Sequence, residues 1–329
     1  MPSRFTIMSR PAILVTGAAG FIGSHLLEAL LAAGEPVVAL DNLDGYYDPA
    51  IKRANLRAAD PGGRAPFFEC DLNDAAALDR LFAAHPIDRV AHLAGRGGVR
   101  PSVRDPLGYV RINLDATINL CAAMRRHGVA RIAFASTSSV YGEAPVPWRE
   151  SMPADRPVSP YAATKRAAEL YLHTEARLNG TGVTVLRFFT VYGPRQRPDM
   201  ALAKFAEQAL GGGAISRFGD GEQLRDFTEV SDIVAGFRAA LGQLSGAPAG
   251  QYEICNLGSG RPRTVNEMIA VLQAHFDRPL AIEALPAQAG DAPATYADLV
   301  HSAEFLGFAP AMTLETGIPR YLAWRRAQQ

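Results

Sequence analysis

The sequence predicts an α/β fold: a doubly wound parallel sheet with a smaller mixed α/β lobe attached. Three observations carry this. The first half alternates short apolar runs with helical patterns, the connections between them are short, and beyond about residue 186 prolines and glycines punctuate shorter elements. Strand–helix alternation with short links places helices on both faces of a parallel sheet, whose strands are then apolar throughout. Residues 12–16 (AILVT), 36–40 (PVVAL), 90–93 (VAHL), 131–135 (RIAFA) and 183–188 (VTVLRF) meet that description as buried strands. Residues 24–33 carry apolar positions at 26, 27, 30 and 31 and stop at Gly34, a helix with a glycine at its end; residues 113–126 behave alike and end at Gly128. In the second half, Thr264 and Glu267 form a capping box opening a helix with Met268, Ile269, Leu272 and Phe276 on its apolar positions. The expected division is 1–186 for the sheet domain and 187–329 for the second lobe, possible interleaving included, with residues 1–9 an extension and Met1 or Met8 as the start.

Composition removes several classes of function. The chain has 329 residues with 33 basic and 33 acidic side chains, so it lacks the bulk positive charge on which nucleic-acid and membrane-surface binders rely. No stretch approaches the roughly 20 apolar residues of a membrane span, and residues 1–11 lack the apolar core of a secretion signal. Three dispersed cysteines, Cys70, Cys121 and Cys255, fit a reducing compartment, and the histidines show no metal-binding spacing, so no metal is expected. The expectation is a cytoplasmic enzyme or small-molecule binder, with neither nucleic acid nor membrane as partner.

The first strand runs directly into Gly17-Ala18-Ala19-Gly20-Phe21-Ile22-Gly23 and then a helix. A sharp strand-to-helix turn needs glycine, and the helix N-terminus offers unpaired N–H groups and a favourable dipole to a phosphate. The spacing is G-x-x-G-x-x-G rather than G-x-G-x-x-G. Asp41 ends the second strand 18 residues after Gly23, where a carboxylate accepts from an adenosine ribose and repels a 2′-phosphate. Together these predict a Rossmann-type site for NAD rather than NADP, with Asn42 beside Asp41. Asp71-Leu72 falls where a third strand would end, near the adenine edge; a helix N-cap is the other reading of Asp71.

Ser159 is a natural N-cap and Pro160 suits the first helical position, so Tyr161 and Lys165 stand four apart on one helical face. A phenol of pKa near 10 is only about 0.1% ionised at neutral pH; a neighbouring ammonium that lowered it by about three units would supply roughly 4 kcal/mol. The phenolate then becomes a base for a sugar hydroxyl. Upstream, Ser136-Thr137-Ser138-Ser139 follows a strand, at the end of the sheet where doubly wound folds keep their sites.

The motifs TGAAGFIGSHL, ASTSSVYG, Tyr161-x-x-x-Lys165 and LRFFTVYGP, in this order, resemble the extended short-chain dehydrogenase/reductase family of nucleotide-sugar enzymes over essentially the whole chain. The resemblance implies tightly held NAD, contacted at Gly17, Gly20, Phe21, Ile22, Gly23, Asp41, Asn42, Asp71, Leu72, Leu93, Ala94, Gly95, Asn113, Tyr161 and Lys165. It implies Tyr161 as base, assisted by Thr137 and Lys165, with hydride leaving sugar C4 and returning to the opposite face of a 4-keto intermediate. Family 4,6-dehydratases carry an Asp-Glu pair after the catalytic threonine and decarboxylases a glutamate before V-Y-G; Ser138-Ser139 stand here instead, which favours plain 4-epimerisation. The segments at 41–56, 97–102 and 195–205 look like the UDP-glucuronate branch. For its carboxylate the candidates are Ser138, Ser139, Thr190, Arg100 and Arg197, the arginines as charge partners. Gly97-Gly98 precede Val99 where the family reads Ala-Gly, and Gln288 stands where glucose-type epimerases carry arginine. Arg225 matches the family's diphosphate-binding arginine and Asp291 its uridine-ribose carboxylate. UDP-glucose or an N-acetylhexosamine is the alternative substrate; a dehydrogenase releasing NADH and an NAD-sensing binding protein are the rival functions. A homodimer is expected through helices near 113–126 and 160–177, and Trp324-Arg325-Arg326 reads as a solvated helix face.

Overall fold

The structure is a computed structural model in which residues 10–286 and 292–328 are described. The chain falls into two compact units: Met1–Ala135, Ser159–Val185 and Ala240–Glu253 in the first; Ser136–Val158, Leu186–Ala239 and Ile254–Gln329 in the second. Elements run β1 (Ala12–Thr16), α1 (Phe21–Ala32), β2 (Val37–Asp41), α2 (Pro49–Ala59), β3 (Phe67–Glu69), α3 (Ala75–Ala84), β4 (Ile87–His92), α4 (Val99–Arg104), α5 (Pro106–Val110), α6 (Ala116–Arg126), β5 (Arg131–Thr137), α7 (Pro160–Asn179) and β6 (Gly182–Phe188). There follow β7 (Thr190–Tyr192), α8 (Ala201–Leu210), β8 (Ile215–Phe218), β9 (Leu224–Arg225), β10 (Phe227–Glu229), α9 (Val230–Ser245), β11 (Tyr252–Leu257), β12 (Arg263–Thr264), α10 (Val265–Gln273), β13 (Ile282–Leu285), β14 (Ala294–Thr295), α11 (Val300–Leu306) and α12 (Leu314–Arg326).

A seven-stranded sheet in the order β11-β6-β5-β4-β1-β2-β3 forms the frame, and β1 pairs in parallel with both β2 and β4. The sequence therefore winds outward from β1 to β3 and then crosses back to β4. That reversal beside β1 opens a crevice at the carboxyl ends of the strands, the usual ligand position of such sheets. β1, β2 and β6 are buried along their whole length, which is why they read as continuous apolar runs.

Local chemistry sets the boundaries. Ser159 accepts from the Ala162 amide at 3.1 Å and Pro160 follows at the first helical position, so α7 starts where those residues dictate and ends at left-handed Gly180. The capping box of Thr264 and Glu267 opens α10. Asp74 rather than Asp71 caps α3; Asp71 instead accepts from the Asn73 amide at 2.8 Å, closing a turn two residues long. The helix expected over 113–126 begins as a π-turn, Arg111–Asp115, before it becomes α6.

The second unit has its own core, built from α8, α10 and α12 around Phe205, Met268, Leu272, Ile318, Tyr321 and Leu322. The expected solvated face at its C-terminus is corrected here. Trp324 packs against this core, Arg325 pairs with Glu207, and the Arg326 guanidinium lies 5.8 Å from the Phe276 ring centre. Long cationic stems cover apolar surface while their heads stay wet, so a charged tripeptide can still be a packed one. No helix among the described residues is long and apolar enough to cross a membrane. The expected extension at 1–9 lies outside the described residues, as do Gln288 and Asp291.

Candidate active site

In the first unit, the site begins at the turn after β1. Gly17 has φ +70°, and a Cβ there would stand 2.7 Å from the Ala94 amide nitrogen; one at Gly23 would stand 2.0 Å from the Gly17 carbonyl oxygen. The glycines thus bring the turn against the end of β4 and α1 against the turn. Gly20 is the N-cap of α1 and provides no side-chain cap, so Phe21 and Ile22 open the helix with their amides available to an anion. Asp41, 6% exposed, accepts from the Ala19 amide at 3.0 Å and the Leu43 amide at 2.8 Å. Burial raises its pKa, while the Lys52 cation and those two amides oppose the shift. The carboxylate thereby faces the glycine turn from β2, where it can take ribose hydroxyls and disfavours a further phosphate. Uncapped helix, glycine turn and buried acid fit an NAD dinucleotide, with Gly17–Gly23, Asp41 and Asn42 as the residues that would hold it.

The end of β4 supplies the opposite wall. His92 is fully buried between two threonines. Thr117 Oγ1 donates to the Asn113 carbonyl at 2.8 Å, so it accepts from His92 Nε2 at 3.0 Å; Nδ1 then accepts from Thr16 Oγ1 at 2.8 Å. Thr16 in turn accepts from the Ala94 amide at 3.2 Å. Burial, with the Lys165 cation adding to it, pushes the imidazole down to about 3, so the relay holds a neutral ring.

α7 delivers the chemistry. Lys165, 5% exposed, sits with Nζ 4.2 Å from the centre of the Phe134 ring on β5. A Cβ at Gly95 would lie 3.1 Å from Asn113 Oδ1 and 3.5 Å from Lys165 Nζ, so the β4 loop, Asn113 and Lys165 meet at one point. Asn113 Nδ2 donates to Thr164 Oγ1 at 3.2 Å, tying that point to α7. Burial brings the Lys165 ammonium down to about 7, against the attraction of Glu169. Tyr161, one turn before it, packs edge-on against Tyr109 with ring centres 6.2 Å apart. Of the expected residues, Gly95, Asn113 and Lys165 meet at that point, Leu93 and Ala94 lead from β4 into it, Tyr161 lies one turn before Lys165 on α7, and Asp71 and Leu72 follow β3. Arg100 is exposed on α4.

The second unit holds the hydroxyl-rich turn. Thr137 ends β5 and caps a single 3-10 turn over Ser138–Tyr141: its Oγ1 accepts from the Ser139 amide and donates to Ser139 Oγ, each at 3.2 Å. Beneath the turn, the Tyr141 hydroxyl donates to Asn256 Oδ1 at 2.7 Å and the buried Arg187 guanidinium lies 4.7 Å from the Tyr141 ring centre. Thr190 opens β7, and its amide donates to the Asp226 carbonyl at 3.0 Å. Arg225 is half-buried on β9, between β12 and β14. Its neighbour Asp226 is fully buried and accepts from the Ser259, Gly260 and Ala297 amides and from the Ser259 and Thr228 hydroxyls. That carboxylate locks the strand carrying Arg225. Arg197 is paired with Asp199 at 2.9 Å.

Residues 13–258 match the sequence pattern of the NAD dependent epimerase/dehydratase family. The chain belongs to that family. Among relatives, it is 38% identical over 314 residues to a UDP-glucuronate 4-epimerase of Thermodesulfobacterium geofontis, 95% of both chains being covered. It is 40% identical over 335 residues to UDP-glucuronate 4-epimerase 1 of Arabidopsis thaliana, covering 95% of this chain and 76% of that one. Among solved structures, it superposes with a TM-score of 0.90 and 33% identity on UDP-glucuronic acid 4-epimerase from Bacillus cereus in complex with UDP-glucuronic acid and NAD, over 97% of this chain and 100% of that one. Sequence reasoning missed residues that brace these positions: Thr16, Lys52, His92 and Arg96 in the first unit, and Asp226 in the second. One signal was available for Lys52, since only Lys52, Lys165 and Lys204 are lysines in a chain otherwise reliant on arginine.

Proposed function

We propose that this protein is an NAD-dependent 4-epimerase of UDP-sugars that interconverts UDP-glucuronate and UDP-galacturonate. The observation that carries it is the placement of buried Lys165 on α7 beside Gly95 and Asn113, with Tyr161 one turn before it on the same helix. The same unit carries the glycine turn and Asp41 that fit NAD. The choice of UDP-glucuronate rests on the relatives, which bear that activity in their names, and on Ser138-Ser139, where no carboxylate stands to drive elimination or decarboxylation.

The glycine turn and Asp41 would hold NAD, which when bound would supply the acceptor and then the donor for hydride at sugar C4. Tyr161 as phenolate accepts the 4-hydroxyl proton and later returns it. Lys165, when cationic, favours that phenolate. Thr137 is assigned, by its motif, the hydroxyl that assists Tyr161. Ser138, Ser139 and Thr190 can donate to the sugar carboxylate and Arg197 or Arg100 can balance its charge, which keeps a β-keto acid from losing carbon dioxide. Arg225 is assigned to the diphosphate and Asp291 to the uridine ribose. Incubation with UDP-glucuronate and, separately, UDP-glucose tests the reading: UDP-galacturonate from the first alone supports it, and steady accumulation of NADH overturns it. Tyr161→Phe is expected to keep bound NAD and lose turnover by roughly 10²–10⁴-fold; unchanged turnover would remove Tyr161 from the role of base.

A homodimer and a cytoplasmic location complete the proposal. Val103 on α4, Leu107 on α5 and Leu170 on α7 are exposed by 66%, 79% and 52%, an apolar set on helices that pack together within the first unit. The sparse cysteines and the nucleotide ligands agree with a cytoplasmic enzyme.

A further inference from the structure

Strand order places the loops after β2 and β4 on either side of the glycine turn that follows β1. One side chain joins them. Arg96, from the β4 loop, donates through Nη2 to Asp44 Oδ2 of the β2 loop at 2.9 Å and through Nη1 to Asp105 Oδ2 at 3.0 Å. Its side chain is only 17% exposed, and the guanidinium carbon lies 5.4 Å and 5.8 Å from the ring centres of Tyr46 and Tyr109. Asp44 is itself fixed: its Oδ1 accepts from the Tyr46 amide at 2.8 Å and its carbonyl from Lys52 Nζ at 2.7 Å.

The main chain of Arg96 is held as firmly. Its amide donates to Asn113 Oδ1 at 2.7 Å and its carbonyl accepts from Asn113 Nδ2 at 3.1 Å, the same Asn113 that binds Thr164 beside Lys165. Tyr109, which flanks the guanidinium, donates to the Gly97 carbonyl at 2.9 Å and packs on Tyr161. One residue therefore couples the loop that follows Asp41 to the helix that carries the base. A planar guanidinium suits this task where an ammonium does not, because its forked N–H groups reach two carboxylates at once while its carbon sits over two aromatic rings.

We propose that the Arg96–Asp44 pair is a clasp across the glycine turn that retains NAD between the two hydride transfers. The inference rests on the epimerase reading, in which the hydride removed from C4 must return from the same cofactor. Escape of the reduced cofactor would leave one free 4-keto sugar and one NADH for each event. On this reading Arg96 acts by positioning, through its hold on Asp44 and Asn113.

The test compares holoenzymes of the wild type, Arg96→Ala, Arg96→Lys, Asp44→Asn and the double variant Arg96→Ala with Asp44→Asn. NAD remaining per chain is measured over time after gel filtration, beside NADH released per turnover and the unfolding midpoint. The clasp predicts that Arg96→Ala and Asp44→Asn each release NAD at least tenfold faster, that the double variant is no worse, and that Arg96→Lys lies between. Saturating added NAD should restore most of kcat in each variant. Retention equal to wild type in either Arg96→Ala or Asp44→Asn overturns the clasp, as does loss of NAD that only tracks a lowered unfolding midpoint. Should the wild type carry NAD, lose it in the variants, and yet fail to epimerise UDP-glucuronate, the clasp stands and the assigned activity falls.

Discussion

Lys165 shows how burial and function oppose each other in one side chain. Its ammonium is brought from 10.5 to about 7 because the folded protein removes it from water. The folded state thus binds fewer protons than the unfolded chain between about pH 7 and 10.5, so this residue makes stability rise with pH across that window and weigh against folding below it. Lys165→Met is expected to raise the unfolding midpoint of the NAD-free protein at pH 7, with the gain shrinking toward pH 10, while turnover falls at least about 100-fold. A second measurement is direct. With three lysines in the chain, isotopic labelling should resolve three side-chain resonances, one titrating near neutrality; three ordinary titrations would contradict the buried charge. His92 marks the contrasting case, a ring held neutral by burial and by the direction of its threonine hydrogen bonds.

At the scale of elements, the strand–turn–helix from β1 to α1 owes its shape to close backbone approach. Gly23→Ala would place a methyl group 2.0 Å from the Gly17 carbonyl, so α1 must move; the expected cost exceeds about 3 kcal/mol, with loss of bound NAD. Gly34→Ala serves as the control. Gly34 also has positive φ, +73°, but no atom lies within 4 Å of a Cβ there, and the cost should be only about 1 kcal/mol. Denaturant midpoints of the two variants separate steric need from conformational preference. In the second unit, Asp226 gathers five donors around β9. Removing it as Asp226→Ala leaves them without their acceptor and should cost about 3–5 kcal/mol. Because Asp226 directly follows Arg225 at the end of β9, KM for the UDP-sugar should rise while NAD content stays near wild type; an unchanged KM would detach Arg225 from the sugar-nucleotide site.

For the whole molecule, the proposed dimer is tested at the exposed leucines of α5 and α7. Leu107→Glu with Leu170→Glu should convert the proposed dimer to a species near 35.2 kDa in sedimentation. A wild type that already sediments at that mass contradicts the dimer. Charge handling is the other property of this scale: 33 acids and 33 bases cancel overall, while the proposed anionic ligands would be met locally, by helix amides and by Arg225.

The sequence by itself determined six of the seven sheet strands to within a few residues, β11 being missed, together with the starts of α7 and α10, the glycine turn after β1, and the places of Asp41, Tyr161 and Lys165 in the fold. Each of these is dictated by a local rule: apolar runs for buried strands, a cap residue for a helix start, glycine where backbone atoms nearly touch. It misjudged what lies across space. The C-terminal Trp324-Arg325-Arg326 read as wet because its polarity was visible and the core beneath it was not. Asp71 could not be separated from Asp74 as a cap by composition alone. Arg96, Lys52, His92 and Asp226 acquire their roles only from partners up to 76 positions away, as the His92–Thr16 pair shows. The His92–Thr16 and Arg96–Asp44 pairings come from strand order, β4-β1-β2, which no local pattern encodes. Short-range sterics and hydrogen bonding are written in neighbouring residues; the clasp, the neutral imidazole and the shifted lysine exist only once distant segments have excluded water together.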